Sequence, residues 1–346
     1  MTNATSKTTT IAVDAMGGYA GPEPVVRAVG RLSLQFQADR SNAYFVLVGD
    51  ETRLGELLVQ TGHNPERISV VHAEDALSMA DPARVGLAEH PHASIARACE
   101  VVASGEADAV VTTGHPGGAV VSAFRHFAMI PGVEKGALAT VFPTFAPGGV
   151  EEFSLILDVG ATVRAGATDL VRFALMGSAY ARIVSEKDRP RVGLLSNSRE
   201  PHVGPAEVVE AHRLLREVDG IDFVGNVQGH QIARGDFDVV VCEGFVGDVA
   251  IKVLEGFADA AFEMAERAYE RKLAYRMGLR LLSGGLKKIK TAVDFESYGG
   301  APLLGIDRVL IVADPRSGTR AIENAVKLAI KNVRAELPQA IASMVR

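Results

Sequence analysis

The stretch from Ile11 to Pro22, IAVDAMGGYAGP, constrains the fold of this chain more than any other segment. It joins an apolar run, a single carboxylate at Asp14 and a turn rich in glycine. Glycine lets backbone amides approach a ligand closely, and the start of a helix attracts negative charge. The pattern therefore predicts a buried strand followed by a ligand-binding turn, with Gly17, Gly18 and Tyr19 as candidate substrate-binding residues. A structural turn in which Asp14 serves only as a cap fits the same residues.

Apolar runs recur after this segment and alternate with helical patterns. Runs such as AYFVLVGD and DRVLIVAD are rich in β-branched residues and predict buried strands, whereas segments such as Thr319 to Leu337 predict helices. This alternation is typical of an α/β fold, so we expect a doubly wound, mostly parallel sheet in an α/β/α sandwich. We expect a disordered tail over residues 1–9 and one α/β/α domain over residues 10–346.

The overall charge excludes one class of partner. The chain has a formal net charge of −6 at pH 7 and a pI of about 5.9, whereas a general nucleic-acid binder needs a basic surface. We therefore expect no nucleic-acid partner. Cys99 and Cys242 lie in apolar runs, as reduced core cysteines do. No segment has the apolar character of a signal peptide or a transmembrane helix, so a cytoplasmic location is expected.

Other polar, glycine-bearing segments follow predicted strands, where the ligands of α/β folds collect. In TTGHPGG, His115 could bind an anion or act as a general acid or base, or it could be a hydrogen-bonded structural residue. In SNSREPHVG, Arg199 could clamp a phosphate-like group through two hydrogen bonds. Together the segments predict one large crevice. Its further candidate residues are Gly114, Gly117, Ser196, Asn197, Ser198, Glu243, Asp248, Arg316 and Ser317.

Motifs for metal binding and covalent catalysis are not found in the sequence. Nine histidines are present, but none has the HExxH spacing, and the two cysteines are far apart. Neither a G-x-S-x-G elbow nor a GxxxxGK[ST] phosphate loop occurs. We therefore expect no metal site, and we disfavour a covalent hydrolase and a Walker-type NTPase.

The segment from Gly247 to Lys290 differs from the rest because it carries no strand signal. Its basic residues are interleaved with Leu, Met, Tyr and Ile, which predicts projecting basic amphipathic helices over residues 252–292. Such helices could contact an anionic membrane surface or an acidic partner. A solvated face with an apolar seam that packs in a dimer is the other interpretation.

Several ordered segments are similar to those of a known family. They are IAVDAMGG, EADAVVTTGHPGGA, PGVEKGALATVFPT, LILDVGATV, DVVVCEGFVGDVAIKVLEG and YGGAPLLGI, and they span about residues 9 to 335. On these segments the chain resembles the PlsX-type acyl-ACP:phosphate acyltransferases, which convert an acyl-carrier-protein thioester and inorganic phosphate into acyl phosphate. The resemblance implies a fold similar to isocitrate dehydrogenase, a homodimer, no metal or organic cofactor, and loose membrane association through the projecting helices.

The resemblance also implies a reaction in which phosphate attacks the carbonyl of an acyl-carrier-protein or CoA thioester directly. Backbone amides of the glycine turns would stabilise the oxyanion that forms. Arg199, Arg316 and Ser317 would contact the anion. His115 would protonate the leaving thiol, and Asp14 would orient a loop.

Departures from the family pattern fall on the polar strand ends. Tyr19 stands where the family typically has Asp, and His115 and Pro116 stand where it has Asn and Thr. These departures keep two alternatives open. One is an enzyme that uses another acceptor or hydrolyses the thioester in a specialised pathway. The other is a non-catalytic scaffold that binds a carrier protein or a membrane.

Overall fold

A computed structural model describes residues 8–38, 42–144, 152–185, 187–271, 277, 280–282, 284–285 and 298–346. Strands and helices alternate along most of this length. The strands are β1 (Thr9–Asp14), β2 (Ala43–Gly49), β3 (Ile68–His72), β4 (Ala109–Thr112), β5 (Ala137–Thr144), β6 (Glu152–Leu157), β7 (Arg191–Leu195), β8 (Asp222–Val227), β9 (Val239–Val241), β10 (Ala301–Leu304) and β11 (Val309–Val312).

The helices cover both faces of the sheet. They are α1 (Glu23–Ala38), α2 (Glu51–Gln60), α3 (Ala83–Glu89), α4 (Ser94–Ala103), α5 (Pro116–His126), α6 (Ala167–Ser185), α7 (Ala206–Leu215), α8 (Gly244–Arg271), α9 (Thr319–Arg334) and α10 (Leu337–Val345). Short 3-10 turns occupy Pro65–Arg67 and Gly229–Arg234.

The strands form one sheet in the order β3-β2-β1-β4-β11-β10-β5-β6-β9-β7-β8. Strands β3, β2, β1, β4 and β11 pair in parallel, and so do β6, β9, β7 and β8. Between these groups, β10 and β5 pair in the antiparallel sense with each other and with β11 and β6. The three antiparallel pairings reverse the strand direction from one group to the other. Carboxyl ends therefore gather at a common edge within each group, and not across the two groups.

The pattern of β1 explains why the sheet is covered on both faces. Ile11 and Val13 belong to one apolar cluster, which includes residues of α1 and α9. Ala12, between them, belongs to a second cluster with residues of α4 and α5. Because successive strand residues point to opposite faces, three apolar residues in a row, Ile11 to Val13, place apolar side chains on both faces of β1 and favour burial of both. The predicted α/β fold with a mostly parallel sheet is confirmed.

Some elements differ from the sequence-based expectation. The described residues include β10, whose sequence APLL is short, contains proline and follows two glycines, so it looks like a loop. The helix predicted to end at Leu337 ends at Arg334, because Glu336 adopts a left-handed conformation with φ 51° and a new helix starts at Leu337.

The predicted ends of the domain fall partly outside the described residues. Of the predicted tail over residues 1–9, residues 1–7 lie outside them, whereas Thr9 already begins β1. The helical element predicted over residues 252–292 corresponds in part to α8, which starts earlier, at Gly244, and ends at Arg271. Beyond Arg271, the structure describes only some residues of this element. Lys287, Lys288 and Lys290 lie outside the described residues. Within the described ranges, no helix combines the length and apolar character that crossing a membrane requires.

Candidate active site

Three strand-end loops meet at the carboxyl edge of the first parallel group. Strand β4 pairs in parallel with β1 on one side and with β11 on the other, so the loops that follow these strands lie side by side. The amide of Tyr19 in the first loop donates a hydrogen bond to the carbonyl of Pro315 in the third, at 3.0 Å. We call residues 14–19, 112–118 and 314–318 together the three-loop site.

Glycine is required in this site mainly for space. A Cβ on Gly17 would collide with the Cα of Gly114 in the neighbouring loop. A Cβ on Gly18 would lie 2.7 Å from Oγ1 of Thr113, which is shorter than a van der Waals contact allows. Among the glycines of this turn, Gly21 has a positive φ, of 70°, and neither Gly17 nor Gly18 has one. The paired glycines therefore let two loop backbones touch.

Asp14 is the buried carboxylate at the base of the site. The Thr112 hydroxyl donates a hydrogen bond to Asp14 Oδ2 at 2.7 Å, and the amide of Met16 donates to Asp14 Oδ1 at 3.2 Å. Burial raises the pKa of Asp14 above its ordinary value, although the hydrogen bonds from the Thr112 hydroxyl and the Met16 amide favour its charged form. The short loop hydrogen bonds indicate that Asp14 orients the loop backbones.

Several donors in the site have no partner. Tyr19 and Met16 use their amides as described above, but the amides of Gly17 and Gly18 make no hydrogen bond to any described residue. The hydroxyl of Ser317, a residue that is 4 % exposed, also has none among the described residues. Ser317 lies just before α9, whose N-cap residue is Gly318. Unpaired amides, a hydroxyl and a helix start are together suited to an anion.

His115 is placed in the site but holds a structural position. Its Nδ1 accepts a hydrogen bond from the amide of Gly118 at 3.1 Å, which caps the start of α5. Its Nε2 lies 3.0 Å from the carbonyl of Asp81, to which it can donate. Both ring nitrogens are thus engaged in the neutral tautomer that carries the proton on Nε2. A proton on Nδ1 would require the capping hydrogen bond to break.

Arg316 forms an ion pair within its own loop. Its Nε and a terminal nitrogen donate to the two carboxylate oxygens of Asp314 at 2.9 and 3.0 Å. Burial alone would raise the pKa of Asp314, but the hydrogen bonds from Arg316 outweigh it and hold the pKa below its ordinary value. Burial and the nearby charge of Asp314 raise the pKa of Glu255, which places α8 beside this loop. An anion would have to compete with Asp314 for Arg316.

A second cluster of loops surrounds Asp158, which follows β6. Asp158 accepts hydrogen bonds from four backbone amides at 2.7 to 3.0 Å, and burial raises its pKa above the ordinary value. The amide of Gly244, which begins α8, donates to Oγ1 of Thr162 in the same loop at 3.3 Å. The predicted site residues Glu243 and Asp248 flank this helix start, and Asp248 pairs with Lys252 at 2.6 Å.

The loop after β7 is tied to the far end of the sheet. The amide side chain of Gln228 donates to the carbonyl of Asn197 at 3.1 Å, and the Ser196 hydroxyl donates weakly to the carbonyl of Val203. The amide of Ser198 donates to the same Ser196 oxygen at 3.4 Å, and Arg199 is exposed. Within the described ranges, these side-chain hydrogen bonds stay near β7 and β8. These hydrogen bonds therefore group the Arg199 loop with β7 and β8, whereas Lys252 of α8, which pairs with Asp248, acts electrostatically on Asp314 of the three-loop site.

Two threonines of the site were not among the sequence candidates. Thr112, the last residue of β4, is 0 % exposed, and Thr113, which precedes Gly114, is 3 % exposed. Two hydroxyl residues at a strand end, directly before a glycine, are the signal that could have identified them. No group of three or more His, Cys, Asp or Glu side chains suited to a metal ion occurs among the described residues.

Comparison with known proteins identifies the family. A family model described as "Fatty acid synthesis protein" matches residues 9–340. A protein named phosphate acyltransferase from Aliarcobacter butzleri is 38 % identical over 331 residues, which cover 96 % of each chain. The chain belongs to the PlsX family of phosphate acyltransferases. The family member of the same name from Moorella thermoacetica is also 38 % identical, over 96 % of this chain and 95 % of its own.

Solved structures support the fold of this phosphate acyltransferase family member. A phosphotransacetylase from Streptococcus pyogenes superimposes with a TM-score of 0.63 at 16 % identity, over 95 % of this chain and 94 % of that one. EutD phosphotransacetylase from Staphylococcus aureus gives 0.58 at 17 % identity, over 95 % of each chain. At these identities the likeness establishes the fold alone.

Proposed function

We propose that this protein transfers an acyl group from a thioester to inorganic phosphate and so forms acyl phosphate for lipid synthesis. The observation that carries the proposal is a set of donors in the three-loop site that have no partner in the described part of the chain, namely the Gly17 and Gly18 amides and the buried Ser317 hydroxyl. Membership of the phosphate acyltransferase family supports the reaction type. The donors form a small cradle for an anion at the carboxyl edge of parallel strands.

For acyl transfer to phosphate, the protein has to bind and orient the two substrates and stabilise the oxyanion. A phosphate oxygen attacks the thioester carbonyl carbon, a C–O bond forms, and the carbonyl becomes a tetrahedral oxyanion. The oxyanion collapses, the C–S bond breaks, and the thiolate leaves and takes up a proton. Preorganised amides stabilise the oxyanion, and holding phosphate beside the carbonyl removes much of the entropic barrier. No covalent enzyme intermediate is needed.

Within this proposal, Ser317, Gly17 and Gly18 bind the phosphate acceptor. Asp14 orients the loops that carry the two glycines, as its hydrogen bonds to Thr112 and Met16 support. We assign His115 to positioning, since its ring nitrogens cap α5 and hold Asp81. Thiol protonation by His115 stays a prediction, as do anion contacts from Arg199 and Arg316.

The acyl donor and the assembly belong to the same proposal. We take acyl carrier protein as the donor, with CoA as the alternative carrier, and a homodimer as the assembly. Helix α8 supports an interface, because it exposes a row of apolar side chains at helical spacing. The row could pack against a second copy or lie on a membrane surface, which would make the protein peripherally associated. Its members are Phe245, Val249, Val253, Phe257 and Met264.

One observation favours a second candidate, hydrolysis of the thioester. Arg316, which lies in the same loop as Ser317, is paired with Asp314, so a carboxylate already balances its charge. A guanidinium held by a carboxylate binds phosphate less tightly than an unbalanced one. Water could then replace phosphate as the acceptor.

Thioester turnover with and without phosphate distinguishes these candidates. The purified protein is incubated with long-chain acyl carrier protein, released thiol is measured, and acyl phosphate is trapped with hydroxylamine as the hydroxamate. We expect thiol release that requires phosphate and is matched by hydroxamate. Thiol release without phosphate would support hydrolysis or another acceptor, and no thiol release would support a different donor or the non-catalytic scaffold.

A further inference from the structure

Thr112 connects the two glycine turns of the three-loop site through one hydroxyl group. Its Oγ1 accepts a hydrogen bond from the amide of Gly114 at 2.8 Å and donates one to Asp14 Oδ2 at 2.7 Å. The other oxygen of Asp14 accepts from the amide of Met16, the residue before Gly17. A continuous chain of hydrogen bonds therefore runs from the loop after β4 to the loop after β1.

We infer that Thr112 is a positioning residue that sets the spacing of the two glycine turns and thereby the phosphate-binding amides of Gly17 and Gly18. The inference deepens the proposed function and rests on it, because it assigns a residue to the phosphate subsite. Thr112 is fully buried and does not reach the surface of the site, so its role is to position other groups and not to contact phosphate.

The local geometry leaves little room for another arrangement. The backbones at Gly17 and Gly114 are so close that a Cβ on either would meet the other loop. A Cβ on Gly114 would also lie 3.0 Å from both Asp14 Oδ2 and Thr112 Oγ1. A shift of either turn therefore changes the direction of the Gly17 and Gly18 amides. The hydroxyl is the group that prevents this shift, because it can accept and donate at the same time.

Valine and serine separate the hydroxyl from the shape of the side chain. Thr112→Val keeps the branched shape but cannot accept from Gly114 or donate to Asp14. Thr112→Ser keeps the hydroxyl and loses one methyl group. Thr144→Val is a matched control, because Thr144 is also a buried strand threonine (5 % exposed) and its hydroxyl has no partner in the described part of the chain.

The test measures the KM for phosphate and the KM for acyl carrier protein thioester separately. For Thr112→Val we expect the phosphate KM to rise at least about tenfold, because the hydrogen bonds to Asp14 and from Gly114 are both lost. The thioester KM should change by less than about twofold. Thr112→Ser should return the phosphate KM to within about threefold of the natural protein. Thr144→Val should leave both constants unchanged.

A binding measurement keeps the test independent of turnover. Stabilisation by inorganic phosphate, read as the rise in Tm, should be strong in the natural protein, the serine variant and Thr144→Val, and weak in Thr112→Val. Thr112→Ala replaces the valine variant if that variant does not fold. A phosphate KM and a phosphate-dependent Tm rise that survive removal of the hydroxyl would overturn the inference. Phosphate binding without acyl transfer would contradict the proposed function while the Tm comparison still tests Thr112, and a natural protein that phosphate does not stabilise would overturn both.

Discussion

Asp14 and Asp158 are both buried aspartates at strand ends, yet their surroundings differ. Asp158 accepts hydrogen bonds from the amide of Leu138 in β5 and from the amides of Gly160, Ala161 and Thr162 in its own loop. The donors of this loop are therefore already bonded to the carboxylate. Asp14 accepts one amide, that of Met16, together with the hydroxyl of Thr112. The amides that follow in its turn, at Gly17 and Gly18, have no partner among the described residues.

We interpret this difference as that between a turn that supports the fold and a turn that has donors available for a ligand. Backbone amides that are satisfied internally hold a loop rigid but offer nothing to a substrate. Unsatisfied amides that remain partly exposed are available to an anion. The same residue type at the same kind of position therefore supports the fold in one place and the site in the other.

The largest expected effect comes from removing the Asp158 carboxylate. Asp158→Ala leaves four amides without an acceptor, and we expect a loss of about 3–5 kcal/mol in the free energy of unfolding. Chemical denaturation measures it. Asp50→Ala is the control, since Asp50 is exposed and accepts one amide, from Arg53, at the start of α2. Its loss should be about 1 kcal/mol. Equal losses in the two variants would contradict the scaffold role.

The next effect is on activity rather than stability. Asparagine at position 14 cannot accept from both Thr112 and Met16 with its two side-chain atoms, so Asp14→Asn should lower phosphate-dependent turnover about 100-fold, or about 2.7 kcal/mol. Burial raises the pKa of Asp14 in the folded state. The charged carboxylate therefore lowers the free energy of unfolding at high pH, and this loss shrinks as the pH falls and the carboxylate is protonated. Asp14→Asn removes the cost of burying the charged carboxylate, which opposes the cost of the lost hydrogen bonds.

We therefore expect Asp14→Asn to lose less free energy of unfolding than Asp158→Ala, because asparagine keeps one side-chain acceptor whereas Asp158→Ala leaves four amides without one. Turnover and denaturation are measured on the same preparation. A large loss of stability with a proportionate loss of activity would place Asp14 in the scaffold class with Asp158.

The smallest effect concerns a single donor to the acceptor. Ser317→Ala removes a buried hydroxyl that has no partner among the described residues, so we expect the phosphate KM to rise about tenfold, or about 1.4 kcal/mol, with little change in Tm. Ser178→Ala in α6 is the matched control, because that hydroxyl is also buried and unpartnered within the described residues. An equal phosphate KM in both variants would remove Ser317 from the site.

The sequence predicts the local parts of this molecule well. The apolar run at Ile11 to Val13 and the glycines after it indicate a buried strand and a close turn, because both properties depend on neighbouring residues alone. The family resemblance is also carried by such local segments, and the family is confirmed. The order of strands and helices follows from the same periodicities.

Long-range partners are what the sequence does not reveal. The carbonyl that His115 contacts belongs to Asp81, and the Thr112 hydroxyl meets a carboxylate 98 positions away. The separate grouping of the Arg199 loop follows from antiparallel pairings through β10, which has no clear strand signal. The sequence shows which polar residues follow strands, but not the direction in which each strand runs in the sheet. Without that direction, it does not show which strand ends share an edge.

A crystal structure with bound inorganic phosphate tests the central claim most directly. We predict phosphate oxygens within about 3 Å of the Gly17 and Gly18 amides and of the Ser317 hydroxyl, with the Asp158 loop unoccupied. Phosphate bound at the Arg199 loop or beside Asp158, with the three-loop site empty at saturating phosphate, would contradict the assignment of the unpaired amides to the acceptor.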